Sequence, residues 1–118
     1  MSLNVYNPSG YIFNRNLQGS IRLNYQHFLM TQLTGNELLH KSTKELVDVS
    51  TPLRVADIAT GTAIWPLSLA RAYPHWQIDG FDISNAQYPF AASIPANVSL
   101  YEHNTFQPFP VEYHGKYE

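Results

Sequence analysis

The sequence contains no cysteine, which excludes a disulfide framework, a thiolate metal site and a cysteine nucleophile. Charge is scarce as well: 7 Lys+Arg and 9 Asp+Glu make up 14% of 118 residues, against roughly 25% in an average soluble domain. With a pI near 6.2 and no basic block, the electrostatic footprint of a nucleic-acid binder is missing. No run approaches the roughly 18 apolar residues of a membrane span. The opening residues Met1-Ser2-Leu3-Asn4-Val5-Tyr6-Asn7-Pro8 have neither the basic stretch nor the apolar run of a signal peptide. The expectation is a cytoplasmic chain with small-molecule or protein partners, and no nucleic acid or membrane among them.

Apolar and aromatic residues are abundant instead. The chain is 44% hydrophobic and 14% aromatic, with 8 Tyr, 8 Pro and a net charge of −2, the opposite of the low hydrophobicity and high charge that keep a chain disordered. The length suits about one domain. No internal repeat or low-complexity tract is present, and residues 1–50 read as a helical cap ahead of an alternating strand and helix segment, 51–118.

From Ser20, a candidate N-cap, Ile21, Tyr25, Phe28, Leu29 and Leu33 form one helical stripe that Gly35 can terminate. Arg22, Asn24 and Gln26 fall on the opposite face. A weaker helix over Glu37–Val47 would turn Leu38, Leu39 and Leu46 inward, and Pro52 ends the helical part. Leu53–Ile58 reads as a strand, Ala59–Ala63 as a small-residue turn and Ile64–Tyr73 as a helix, with Pro66 tolerated in its first turn. Trp76–Ile83 and Val98–His103 read as further strands, and Ser84–Ala92 as a short helix or loop broken by Pro89. Strands alternating with helices imply crossover connections and a parallel, Rossmann-like α/β sheet.

The informative element is Asp57-Ile58-Ala59-Thr60-Gly61-Thr62-Ala63-Ile64-Trp65, placed where the first strand turns into its helix. Asp82 closes the second strand 21 residues after Gly61. In a doubly wound sheet, small residues in the first turn let a ligand approach the backbone, and an acid at the end of the second strand can accept both ribose hydroxyls. A pyrophosphate would need the full G-x-G-x-x-G pattern on the helix N-terminus, and here only Gly61 is present. A nucleoside without phosphate at the turn fits better, and the sulfonium cofactor S-adenosylmethionine is one. Its amino group needs an acceptor such as Asp57 or a turn carbonyl.

These residues resemble the fungal class I S-adenosylmethionine-dependent methyltransferases of the LaeA-like and UMTA type, over Tyr11 to about Phe109. The markers are Tyr11-Ile12, Arg22-Leu23 with Gln26-His27, Asp57 to Trp65, and Asp79-Gly80-Phe81-Asp82-Ile83-Ser84. The family's usual turn is Asp-Ile-Gly-Thr-Gly-Thr-Gly-Ile-Trp, so Ala59 and Ala63 stand where glycines are usual. An alanine avoids positive φ, and each of the two adds one methyl beside the expected ligand, which bears on cofactor affinity. The resemblance implies that Asp82 holds the ribose and Ile83 packs on the adenine. Asn104 would accept from the adenine amine through its amide oxygen, while Tyr11, Arg22 and His27 would face the cofactor's amino-acid end or the substrate. His27 is the candidate base, with a structural histidine as the alternative. His103 has no counterpart in the family's acidic pair. Trp65 and Trp76 read as packing residues. The Tyr and Phe residues of Tyr88–Phe109 either line an apolar pocket or cover surface.

Members of that family run well beyond 200 residues, by the same resemblance, and continue into a fourth strand after a segment like Gly115-Lys116-Tyr117-Glu118. In their strand order, 3-2-1-4-5, the first strand is central, and here it would be an unpaired edge. Three explanations stand open. The chain is a piece of a longer enzyme, the sheet is completed by a second copy or another chain, or this is a shortened descendant. The last would have lost methyl transfer and would serve as a cofactor-independent pericyclase or as a binding or regulatory subunit.

Overall fold

The computed structural model describes residues 15–118. Two helices, α1 (Leu17–Leu33) and α2 (Lys41–Leu46), precede strand β1 (Arg54–Ile58), helix α3 (Ile64–Ala72), β2 (Gln77–Asp82) and β3 (Val98–Glu102). The three strands are parallel in the order β1-β2-β3, with Val55 opposite Ile78 and Ile78 opposite Val98. This is the Rossmann-like α/β architecture expected, with β1 at one edge of the sheet. Glu118 adjoins that edge at its first residue only, its N–H donating to the Arg54 carbonyl at 3.1 Å.

The core lies between α3 and one face of the sheet, where Leu69, Ala70, Trp76, Ile78 and Val98 are buried. Trp76 stacks on Tyr73 at 4.1 Å between ring centroids and donates its indole N–H to the Val49 carbonyl at 3.2 Å, which ties the segment before β1 to the core. On the other face Phe81 is buried beneath Tyr101, Phe109 and Tyr113, all with ring centroids 5.2–5.3 Å from its own. The tail after β3 thus covers a sheet face. Phe109 covers surface, whereas Phe90 and Phe106 are 90% exposed.

Beneath the tail Asp79 is fully buried with its carboxylate saturated. Arg54 Nε and Nη2 donate to Oδ2 at 3.1 and 2.8 Å, Tyr117 O–H to the same oxygen at 2.8 Å, and Gln77 Nε2 to Oδ1 at 2.9 Å. A buried carboxylate is tolerable only when so paired. Aspartate interrupts the apolar run of β2, and its partners come from three separate parts of the chain.

The helical part departs from expectation. Asn16, not Ser20, caps α1, its Oδ1 accepting the Gly19 N–H at 2.9 Å. The apolar stripe does not face the sheet: Ile21, Tyr25, Phe28 and Leu33 are 57–81% exposed. What α1 turns inward is Gly19, Leu23 and His27. Part of this face docks on the turn after β1, where Leu23 packs against Gly61. Asn24, though exposed, adds a bond to the same turn, accepting the Thr62 hydroxyl at 2.6 Å. The second helix is shorter than Glu37–Val47 because His40 takes the cap, its Nδ1 accepting the Ser42 N–H at 3.2 Å. Leu38 and Leu39 still pack against the core, but Leu46 is 85% exposed. After β2, Ser84–Phe90 has no helix, and a single 3₁₀ turn follows at Ala91–Ser93.

Candidate functional site

The turn between β1 and α3 sits at the carboxyl ends of the strands, where open α/β sheets bind ligands. Three of its residues are left-handed: Ala59 (φ 63°), Gly61 (62°) and Ala63 (62°). Alanine's usual avoidance of this conformation is overridden at both positions. Each alanine costs about 1–2 kcal/mol there, and bonds around the turn hold it. Thr60 N–H donates to the Phe81 carbonyl at 2.9 Å and Ala63 N–H to the Thr60 carbonyl at 3.0 Å. The Thr60 hydroxyl donates to Asp57 Oδ2 at 2.6 Å. A glycine-type backbone persists, with two added methyl groups.

Asp82 is the hinge of the arrangement. Its Oδ2 accepts the Gly61 N–H at 2.9 Å and its Oδ1 the Ser84 N–H at 3.3 Å. A carboxylate offers about four lone-pair sites, so acceptor capacity remains on both oxygens. Asp57 lies beneath the turn. Burial raises its carboxyl above the ordinary value, the Thr60 hydrogen bond opposes this, and the Asp82 charge adds to it.

A cleft of about 400 Å³ opens over the turn and brings together Gly61, Asp82, Ile83 and Asn104, four of the residues the sequence nominated. Asn104 reaches it from the loop after β3, its Oδ1 accepting the Phe106 N–H at 3.0 Å. His103 braces that loop, its ring 4.1 Å from Phe109 and its Nε2 on the Gln107 carbonyl at 3.2 Å.

Arg22 and His27 do not line this cleft. Arg22 donates Nη1 to Gln26 Oε1 at 3.3 Å along α1. His27 lines a different cavity, and burial lowers its pKa below the ordinary value. Tyr11 lies outside the described residues. Phe106, one of the aromatic residues offered as a pocket wall, lines the cleft, while sequence reasoning missed Arg15, Gln87 and Thr105, which line it too. Gln87 donates Nε2 to Ser20 Oγ at 3.2 Å across 67 residues of chain, a pairing with no local sequence signal.

Similar proteins bear on this site. The chain is 38% identical over 106 residues to the methyltransferase grgD of Penicillium sp, covering 82% of this chain and 35% of that protein. It is 36% identical over 90 residues to the N-methyltransferase tcpN of Claviceps purpurea, covering 75% and 31%. The chain is related to methyltransferases. A bacterial relative, the release factor glutamine methyltransferase of Enterococcus faecalis, is 31% identical over 91 residues, covering 74% of this chain and 32% of its own. The chain spans about a third of the length of these curated methyltransferases. No protein-family model and no solved structure matches it. Among the described residues no helix is long and apolar enough to cross a membrane.

Proposed function

We propose that this chain forms the S-adenosylmethionine-binding part of a methyltransferase acting on a small-molecule secondary metabolite, of the LaeA-like and UMTA type. The observation that carries the reading is the cleft over a glycine-type turn with Asp82 at its wall and Asn104 at its rim. The relatives add support. Their names specify different acceptors, a nitrogen in one and a release-factor glutamine in another, yet the chain matches about a third of each. What such enzymes share is the methyl donor, so the matched third is best read as the donor-binding part.

The residues present fit an adenosine. Asp82 retains lone pairs for the ribose hydroxyls, Ile83 offers an aliphatic face for the base, and Asn104 adds an amide at the far end. Ala59 adds a methyl to the lining of the cleft. Bound there, the cofactor would supply a methyl group on a sulfonium. The part of this chain is to grip and orient it, which is the larger share of the work in a displacement that depends on alignment.

The test is calorimetric titration with S-adenosylhomocysteine. Asp82→Ala removes a charged acceptor worth about 1.5–3 kcal/mol, so affinity should fall by about 10- to 150-fold. A folded wild-type chain that takes up none of this ligand refutes the reading. Among the described residues the outer edge of β1 is met only by Glu118 at Arg54, which favours one companion reading, in which a second copy or another chain completes the sheet. Light scattering that finds only monomers would count against it.

A further inference from the structure

Phe106 is 90% exposed and lines the cleft over the Gly61 turn. An exposed apolar side chain standing singly needs no explanation, and Phe90, equally exposed, does not line this cleft. Phe106 differs in where it stands and in how its backbone is held. Asp82 pairs with Glu102 at the ends of β2 and β3, so the loops leaving these two strands emerge side by side at the carboxyl edge of the sheet. Ile83 opens the first loop, and Phe106 belongs to the second.

The turn that carries Phe106 is closed twice. Asn104 Oδ1 accepts the Phe106 N–H at 3.0 Å, and the Asn104 carbonyl accepts the Gln107 N–H at 2.9 Å. The second bond closes a β-turn with Phe106 at its third position. His103 Nε2 on the Gln107 carbonyl, at 3.2 Å, braces the same turn. The backbone is thus fixed before a ligand arrives, while the ring has given little of its surface to the protein. An aromatic ring is a large apolar surface for a ligand to cover, and one held on a fixed backbone costs little further ordering. Together, the Ile83 aliphatic chain, the Phe106 ring and the half-buried Asn104 amide suit a flat ring with a polar edge.

We propose that Phe106 sets the affinity of the cleft by stacking its ring on the base of the bound cofactor. Ile83 then supplies the aliphatic contact and Asn104 reads the polar edge, so the hold on the ligand is weighted toward its nucleoside end. This rests on the reading of the cleft as an S-adenosylmethionine site and adds to that reading the residue that sets binding strength.

The test is calorimetric titration of the full chain with two ligands, S-adenosylhomocysteine and 5′-methylthioadenosine, the second of which keeps base and ribose but lacks the amino acid. Phe106→Ala should weaken both by the same factor, about 5- to 150-fold, the worth of one base on an aromatic platform. Phe106→Trp should retain the affinity, and Phe90→Ala should alter neither ligand. Because the ring is so exposed, denaturant unfolding of Phe106→Ala should match wild type. Suppose wild type binds S-adenosylhomocysteine. Unchanged affinity in Phe106→Ala, a loss that spares 5′-methylthioadenosine, no uptake of that nucleoside by wild type, an equal loss in Phe106→Trp, or an equal loss in Phe90→Ala would each overturn the role of Phe106 and leave the cofactor reading standing. No uptake of either ligand by folded wild type overturns both.

Discussion

Ala59 and Ala63 provide a controlled comparison, because both are left-handed at nearly the same φ, 63° and 62°, but differ in burial. Ala59 is exposed, whereas Ala63 has no accessible surface. Replacing either with glycine relieves about 1–2 kcal/mol of backbone strain. Against this, glycine gains freedom in the unfolded chain worth about 0.4–1 kcal/mol. At position 59 the balance is a stabilisation of about 0.5–1 kcal/mol, or about 2–6 °C in Tm. At position 63 the lost methyl forfeits a further buried carbon worth about 0.8 kcal/mol, so the net change should lie near zero. Guanidinium unfolding of wild type and both variants, with the slope m unchanged, measures the difference. Destabilisation by Ala59→Gly, or a larger gain at 63 than at 59, would refute the argument that strain and burial separate in this way. The same pair reports on the cleft. Only Ala59 lines it, so only Ala59→Gly should tighten S-adenosylhomocysteine.

Three further perturbations test the surroundings of the site. Gly80→Ala would put a Cβ 2.7 Å from Leu100 Cδ2 and 3.1 Å from Thr60 Cγ2, costing about 1–3 kcal/mol. Because Thr60 belongs to the turn, calorimetry should also find weaker S-adenosylhomocysteine binding, and unaltered affinity would show that the turn absorbs the push. Arg54→Met removes two of the donors to buried Asp79. Since Arg54 itself is about one-third exposed, the loss in urea unfolding should be about 2–3 kcal/mol, below that of a fully enclosed pair. A neutral result would mean that Gln77 and Tyr117 suffice. Asp57→Asn tests the raised carboxyl. A folded-state pKa above the unfolded one means that the native chain binds more protons, so wild-type stability falls as pH rises from about 4 through the raised value. The Asp57→Asn variant lacks this loss. Its advantage over wild type, measured by denaturant unfolding at several pH values, should grow across that window, and a constant difference would contradict the assignment.

The Gly61 turn and Asp82 were legible because their signal is local and chemical. A short apolar strand, a run of small residues and an acid closing the next strand can each be read within a few positions. Register then carries them together, since parallel pairing sets Asp57 opposite Gly80 and Ile58 opposite Phe81 and brings Asp82 to the turn. The residues that went unread are those whose role is set by distant partners. Arg15, Gln87 and Thr105 have no neighbour in sequence that marks them, and Ser20 proved to be a partner of Gln87 rather than a cap.

Helix α1 shows the same division in one element. Its 3.6-residue period announces a helix, yet the period alone cannot say which face the rest of the chain will cover. The apolar face is the natural choice, and the fold took the other, where Leu23 packs against Gly61 and Asn24 accepts the Thr62 hydroxyl. The amino-acid sequence by itself determined the strands, the parallel sheet and the acid beside the turn, all of which follow from short-range periodicity and residue chemistry. Only the tertiary structure decided that two alanines would accept a glycine's conformation and that the Asp79 side chain could be buried. Both depend on bonds from residues far along the chain, whose combined strength outweighs the local preference.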